Sequence, residues 1–224
     1  MNTRYTRAVA KRELAAEPDG ATPKRKRLTA VERRETIVAA ARQEFVEYGF
    51  SGARTRAIAE GAGITEAVLY RHFASKEAIF DAAVLSPLRE QLAALLDDTR
   101  TVLARRRTRR TAAEFERVWL ERLPDIIPLL GAALLSDQSV GRTSYREVVA
   151  PFLDGVEAET VAAGLLPVTE AWVFVRAAFG MNLLLVLDRL QRDAPVDVAS
   201  VAGQLSDLYA LGLSTGRSLR DQPS

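Results

Sequence analysis

Residues 65–76, TEAVLYRHFASK, concentrate side chains that donate hydrogen bonds to anionic oxygens and other polar acceptors: Thr65, Tyr70, Arg71, His72 and Lys76. Such a set suits recognition better than turnover. His72 is the only histidine among 224 residues and there is no cysteine, which excludes disulfides, cysteine-based zinc sites and multi-histidine metal sites. No paired carboxylates, nucleophile–base set or glycine-rich phosphate loop can be singled out. No catalytic residue, metal or cofactor is therefore assigned, and a helical enzyme is the outlying reading.

The charge distribution points the same way. Residues 1–80 carry 15 Lys and Arg against 10 Asp and Glu, whereas residues 81–224 carry 16 against 19. A basic half attracts a polyanion, and the displaced counterions make such binding steeply salt-dependent. Residues 1–30 have few large apolar groups, a Pro18-Asp19-Gly20 breaker and the run Lys24-Arg25-Lys26-Arg27. They read as a disordered basic tail, either an arm along phosphates or in a minor groove, or a solvated solubility segment.

These donors need helices to hold them. From Glu32 to Tyr48 the residues Ile37, Ala41, Phe45 and Tyr48 share one helical face, and Gly49 suits a left-handed cap that ends the helix. A short helix from Arg56 to about Ala62, a turn at Gly63 and a second helix from Thr65 to His72 have the layout of a helix-turn-helix. Ile58, Ala59 and Ala62 give the first helix an apolar side, while Val68, Leu69 and Phe73 face inward against Ile58 and Phe45. Thr65 caps the second helix, leaving Thr65, Glu66, Ala67, Tyr70, Arg71 and His72 for the groove of a duplex. Ser75 caps a further helix and puts Lys76 in its first turn, within reach of a phosphate.

The stretch resembles the DNA-binding unit of the TetR family of transcriptional regulators. The shared pattern is Thr55, Ile58-Ala59, Ala62-Gly63, Leu69-Tyr70-Arg71-His72-Phe73 and Lys76-Glu77, with Glu44-Phe45 and Gly49-Phe50 upstream, over roughly residues 33–81. Ala67 departs from it where many members carry Gly, which bears on how closely the backbone nears DNA. The resemblance implies that Thr55, Thr65, Tyr70, His72 and Lys76 contact phosphates or base edges. It leaves Ala67 for a thymine methyl and Arg71 for a guanine edge or a phosphate, with Glu66 beside them.

The helix opened by Ser75 carries an apolar stripe to Leu103 past Pro87, which should kink or interrupt it. The arginines of residues 105–110 read as a solvated helix end. Helices are predicted over Thr111–Leu123, Pro124–Ser136, Thr143–Ala163, Thr169–Arg192 and Val196–Leu219. The fold class is all-α: a tail over 1–30, a three-helix DNA-binding domain with the helix-turn-helix over 31–81, and a larger helical domain for effector binding and dimerisation over 82–224. Trp119, Phe152, Trp172, Phe179 and Met181 offer pocket walls and Asn182 a polar handle for a small molecule, with plain core as the other reading of each.

The last two helices sit where TetR-like proteins build a dimeric four-helix bundle, so the resemblance implies a homodimer on a palindromic operator. The reading is a DNA-binding regulator, a repressor released by its effector. The alternative is a regulator without an effector, controlled by a protein partner. The longest apolar run, Ala177 to Leu187, is too short for a bilayer and the N-terminus is polar, so no membrane partner and a cytoplasmic location are expected. Deleting residues 1–27 should weaken DNA binding and flatten its dependence on salt, measured as affinity across a salt series; an unchanged slope would make the tail a solubility segment.

Overall fold

A computed structural model describes residues 29–105, 109–135, 137–195 and 197–220. The tail expected over 1–30 lies outside them except for Thr29 and Ala30. Thr29 opens α1 (Ala30–Gly52) with a capping box: its hydroxyl accepts from the Glu32 N–H, and the Glu32 carboxylate accepts from the Thr29 N–H at 2.7 Å. The helix thus begins two residues before the expected Glu32. It breaks at Gly49, whose φ of 67° is left-handed, and then takes one further turn to Gly52. That break turns Phe50 toward Phe45 and Phe80, with ring centroids 6.2 and 5.1 Å away. Gly49 is buried in the place predicted for Tyr48, which is exposed.

Three short helices follow, α2 (Thr55–Gly61), α3 (Glu66–His72) and α4 (Lys76–Phe80). Their buried residues Ile58, Ala59, Leu69, Phe73, Ile79 and Phe80 share one core with Ile37, Ala41 and Phe45 of α1. From α4 the chain runs through a π-helical turn, Asp81–Leu85, into α5 (Ser86–Leu103) without leaving the helix. Pro87 was expected to kink or interrupt this stretch; the wider turn absorbs its ring instead. Pro87 has no N–H to offer the Ala83 carbonyl four residues back, and Arg42 Nε of α1 donates to that carbonyl at 3.1 Å.

The remaining helices are α6 (Arg109–Leu134), α7 (Gln138–Ser144), α8 (Ala150–Ala162), α9 (Val168–Gln191) and α10 (Val198–Arg220). A second π-helical turn, Tyr145–Val149, joins α7 to α8 just before Pro151. Two predicted helices, Thr111–Leu123 and Pro124–Ser136, are one. Pro124 and Pro128 lie four apart on one side of α6, and burial of Leu120, Leu123, Ile126, Leu129 and Leu130 holds the helix through them. The helix expected from Thr143 starts at Gln138, where the Asp137 carboxylate accepts from the Ser139 and Val140 amides.

α6 is the hub: it packs on α1, α5, α7, α9 and α10, while α8 lies between α5 and α9. Among the described residues every regular element is helical, and one core runs from Ile37 of α1 to Leu205 of α10. α9 is long and apolar enough, by length and composition, to cross a membrane. It also carries the buried Asn182 and an arginine, Arg176, that bridges Asp154 and Glu157 of α8 at 2.8 and 3.0 Å. Gly141, which falls in the gap between the helices predicted over Pro124–Ser136 and Thr143–Ala163, sits inside α7, and a Cβ there would lie 2.5 Å from the Leu134 carbonyl oxygen. Gly141→Ala should lower stability by about 1–3 kcal/mol, read from denaturant unfolding, because backbone rather than a flexible side chain would have to move.

Candidate functional site

The recognition unit is built by closing α2 and restarting the chain as α3. Gly63, at φ 64°, lets the Gly63 and Ile64 amides reach back to the Glu60 and Ala59 carbonyls, both at 3.0 Å. Thr65 then caps α3, its hydroxyl accepting from the Val68 N–H at 3.4 Å. At the other end of α2 the Glu44 carboxylate accepts from the Arg54 N–H at 3.0 Å, which fixes where that helix starts. The Thr55 hydroxyl donates to the Glu66 carboxylate and ties the first turn of α2 to that of α3.

One side of α3 is sunk and the other is open. Leu69 is wholly buried and Phe73, just past the helix, nearly so. Thr65, Glu66, Ala67, Tyr70 and Arg71 are exposed, with Thr55, His72 and Lys76 half-buried around them. Arg34 of α1 stacks on Phe73 with its guanidinium 4.2 Å from the ring centroid and donates to the His72 carbonyl at 3.2 Å, which anchors the end of α3. The Ser75 hydroxyl caps α4, and the Lys76 ammonium stands 5.0 Å from the Phe50 ring centroid in its first turn. The result is a short helix with five exposed positions along one side and cations at its C-terminal end, a shape that fits a nucleic-acid groove.

All eight residues expected to meet DNA therefore lie on or beside α3. Sequence reasoning missed the supports: Arg34, Glu44 and Arg42 act through backbone groups of distant segments, and no local pattern announces such bonds. Thr55, expected to meet DNA, here has its hydroxyl on Glu66.

The residues expected to line a pocket divide. Trp119, Phe152 and Phe179 pack together, with ring centroids 5.7–6.0 Å apart. The Trp119 Nε1–H donates to Thr99 Oγ1 of α5 at 3.1 Å. Asn182 is fully buried, its amide nitrogen donating to Glu116 Oε2 at 2.8 Å and to the Ala178 carbonyl at 3.0 Å. Trp172 is not among them; it is exposed on α9, under the Arg176 guanidinium at 4.9 Å, and Met181 is half-buried.

Glu116 was missed, and the sequence held a sign of it. It shares the buried stripe of Trp119, Leu120 and Leu123 at spacings of three, four and seven, where a carboxyl is out of place. Burial pushes its carboxyl up to about 7, against the opposing effect of the Asn182 amide. No group of three metal-ligating side chains occurs among the described residues.

Residues 37–83 match the family model described as bacterial regulatory proteins, tetR family. The chain is 31% identical over 106 residues to the HTH-type transcriptional activator FasR of Mycolicibacterium smegmatis. That match covers 47% of this chain and 48% of FasR, so the chain spans about half the length of this relative.

Solved structures resemble it as well. A tetR-family transcriptional regulator from Streptomyces coelicolor superposes with a TM-score of 0.56 at 18% identity, covering 88% of this chain and 92% of the other. The transcriptional regulator FadR from Bacillus subtilis, in complex with stearoyl-CoA, does so with a TM-score of 0.54 at 20% identity, covering 78% and 96%. At these identities the likeness is one of fold.

Tyr70, 45% exposed, contributes little to the core. Tyr70→Ala should cost DNA affinity about 1–3 kcal/mol, roughly 5- to 150-fold, with no change in melting temperature; anisotropy titration and thermal unfolding measure the two.

Proposed function

We propose that this chain, whose residues 37–83 belong to the tetR family of bacterial regulatory proteins, is a dimeric transcriptional regulator that reads a palindromic operator through α3. One observation carries the reading. Leu69 and Phe73 pin α3 while Thr65, Glu66, Ala67, Tyr70 and Arg71 stay open along its other side. Two copies related by a twofold axis would set two such helices into successive major-groove faces, about 34–36 Å apart or a multiple of that. Selection of bound sequences from random DNA tests this directly: an inverted repeat is the expected outcome, and absence of any enriched motif would sink it.

The partner surface is on α9. Val173 and Leu184 are 58% and 66% exposed and share one side of the helix with Ala177 and Gly180, and Leu185 and Leu190 are exposed nearby. An apolar stripe of this length on an otherwise packed helix calls for a cover. A second copy is the occupant consistent with a paired operator, and Leu208 of α10 is also exposed for it.

The regulator acts as a repressor that a small molecule releases. Ligand would favour a conformer in which the two α3 helices no longer match the groove, and only a difference in affinity between conformers can shift that balance. FadR, which resembles this chain in fold, was solved with an acyl-CoA bound, which supports the effector domain as a ligand site. FasR is named an activator. The sign of regulation is read from an operator–reporter strain, where deletion of a repressor raises expression. If no compound from a metabolite panel raises the melting temperature or weakens DNA binding, the reading passes to a regulator governed by a protein partner.

Val173→Glu with Leu184→Glu should give a folded monomer by sedimentation and lower operator affinity at least tenfold, since each half-site is then bound alone.

A further inference from the structure

Inside the effector domain lie three polar groups, two of which keep a buried oxygen without a hydrogen-bond partner. Glu116 of α6 is 2% exposed and Asn182 of α9 is wholly buried. The Asn182 amide nitrogen makes two bonds, yet its Oδ1 has none, and neither does the buried phenolic oxygen of Tyr209 on α10. Tyr209 is held against α9 by Phe174, with ring centroids 5.3 Å apart, and is close enough for the charge of Glu116 to oppose its ionisation. One turn along from Glu116 and Asn182 stand Trp119 and Phe179, edge to face at 5.7 Å. Orphaned buried oxygens are rare in folded proteins, because each forfeits its hydration without replacement.

The sign of the site is set by what does not neutralise Glu116. The other acids paired nearby each hold an arginine: Glu159 with Arg100, Asp98 with Arg122, Glu121 with Arg117, and Asp154 and Glu157 with Arg176. Among the described residues Glu116 receives only the amide of Asn182. The unpaired oxygens of the cluster are an amide carbonyl, which only accepts, and a phenol, which accepts as well as donates, and both lie in the same domain as the carboxyl of Glu116. Such a set accepts hydrogen bonds from a donor and favours positive charge, and aromatic faces beside it favour the same charge.

We infer that the interior between α6, α9 and α10 binds an organic cation, whose ammonium or amidinium group donates to Glu116, Asn182 Oδ1 and Tyr209 Oη while its apolar body lies against Trp119 and Phe179. The inference rests on the reading of this domain as an effector domain and gives the effector a chemical class. A carboxylate or phosphate head group would instead meet Glu116 without a cation to offset it.

The site is linked to protons. A carboxyl held near 7 is half-protonated at neutral pH, and a cation binds its ionised form, so affinity rises as pH rises through that value. Among the described residues no charged group acts on Glu116. Burial and the charge of Glu116 push the Tyr209 phenol up, away from this range, while Asn182 and the Thr99 facing Trp119 do not titrate.

The test compares phenethylamine with 3-phenylpropionate, near-matched in size and opposite in charge, by calorimetry on the full chain and on Glu116→Gln at pH 6 and pH 8. The same samples are assayed for release of selected operator DNA. The amine should bind at least tenfold tighter than the acid, and about tenfold tighter at pH 8 than at pH 6. Glu116→Gln should lose both differences while unfolding at no lower temperature at pH 8, since it removes a buried carboxylate.

Equal or tighter binding of the acid, amine affinity that survives Glu116→Gln, or no binding of either probe would each overturn the cation site; the last would leave ordered water as the partner of these oxygens. Amine binding through Glu116 without DNA release would keep the site and sink the effector reading. DNA release by the acid, unaltered in Glu116→Gln, would do the reverse.

Discussion

The burial of the apolar side of α6 is the constraint on which the rest depends. Trp119, Leu120, Leu123 and Ile126 are almost wholly covered, and no single neighbour could cover a helix of 26 residues. α10 lies along it, α5 and α9 flank it, and α1 closes one end. At roughly 1.5–3 kcal/mol for each large apolar side chain fully buried, this stripe outweighs the ~3 kcal/mol or more that an interior proline costs a helix. That comparison explains why α6 passes through Pro124 and Pro128 unbroken.

Local signals reached far, and where they failed the reason is physical. Caps and turn residues bond within a few positions, so Thr65, Ser75, Gly49 and Gly63 were legible, and so was the open side of α3. Prolines and Gly141 misled because a solvent-free neighbour decides whether they end a helix, and that neighbour is remote in sequence. Trp172 misled in another way: an aromatic in an apolar run can sit on either side of the helix, and only the packing of α6 and α8 shows which side of α9 is inside. Glu116 shows the converse, a polar residue whose place in a buried stripe was visible but whose partner, Asn182, was 66 positions away.

The helix-turn-helix unit and the larger helical domain that follows it are joined by more than the helix that runs through both. Arg42 of α1 holds the Ala83 carbonyl in the π-helical turn, and Ser51 at the end of α1 donates to Asp137 at 2.9 Å, at the corner between α6 and α7. Asp137 gathers two hydroxyls and two amides, which hold its carboxyl well below the usual range. α1 is therefore gripped at its middle and its end by segments on either side of α6. A shift of α6 against α5 reaches α1 through these contacts, and α1 carries the Arg34 that holds the end of α3.

The two wide turns also solve a problem of phase. Phe80, Val84, Leu88 and Leu92 are buried at intervals of four, and so are Ser144, Val148, Phe152, Val156 and Thr160. In an unbroken α-helix each such interval advances about 40° beyond a full turn, so the fifth member of the second series would stand roughly 160° from the first, facing water. A turn with one extra residue takes up much of that drift and keeps the series on one side. A run of buried positions at a strict spacing of four that continues past a proline is thus the written form of a wide turn. Removing one residue from such a turn would leave a well-formed α-helix whose far half had been rotated out of its own core.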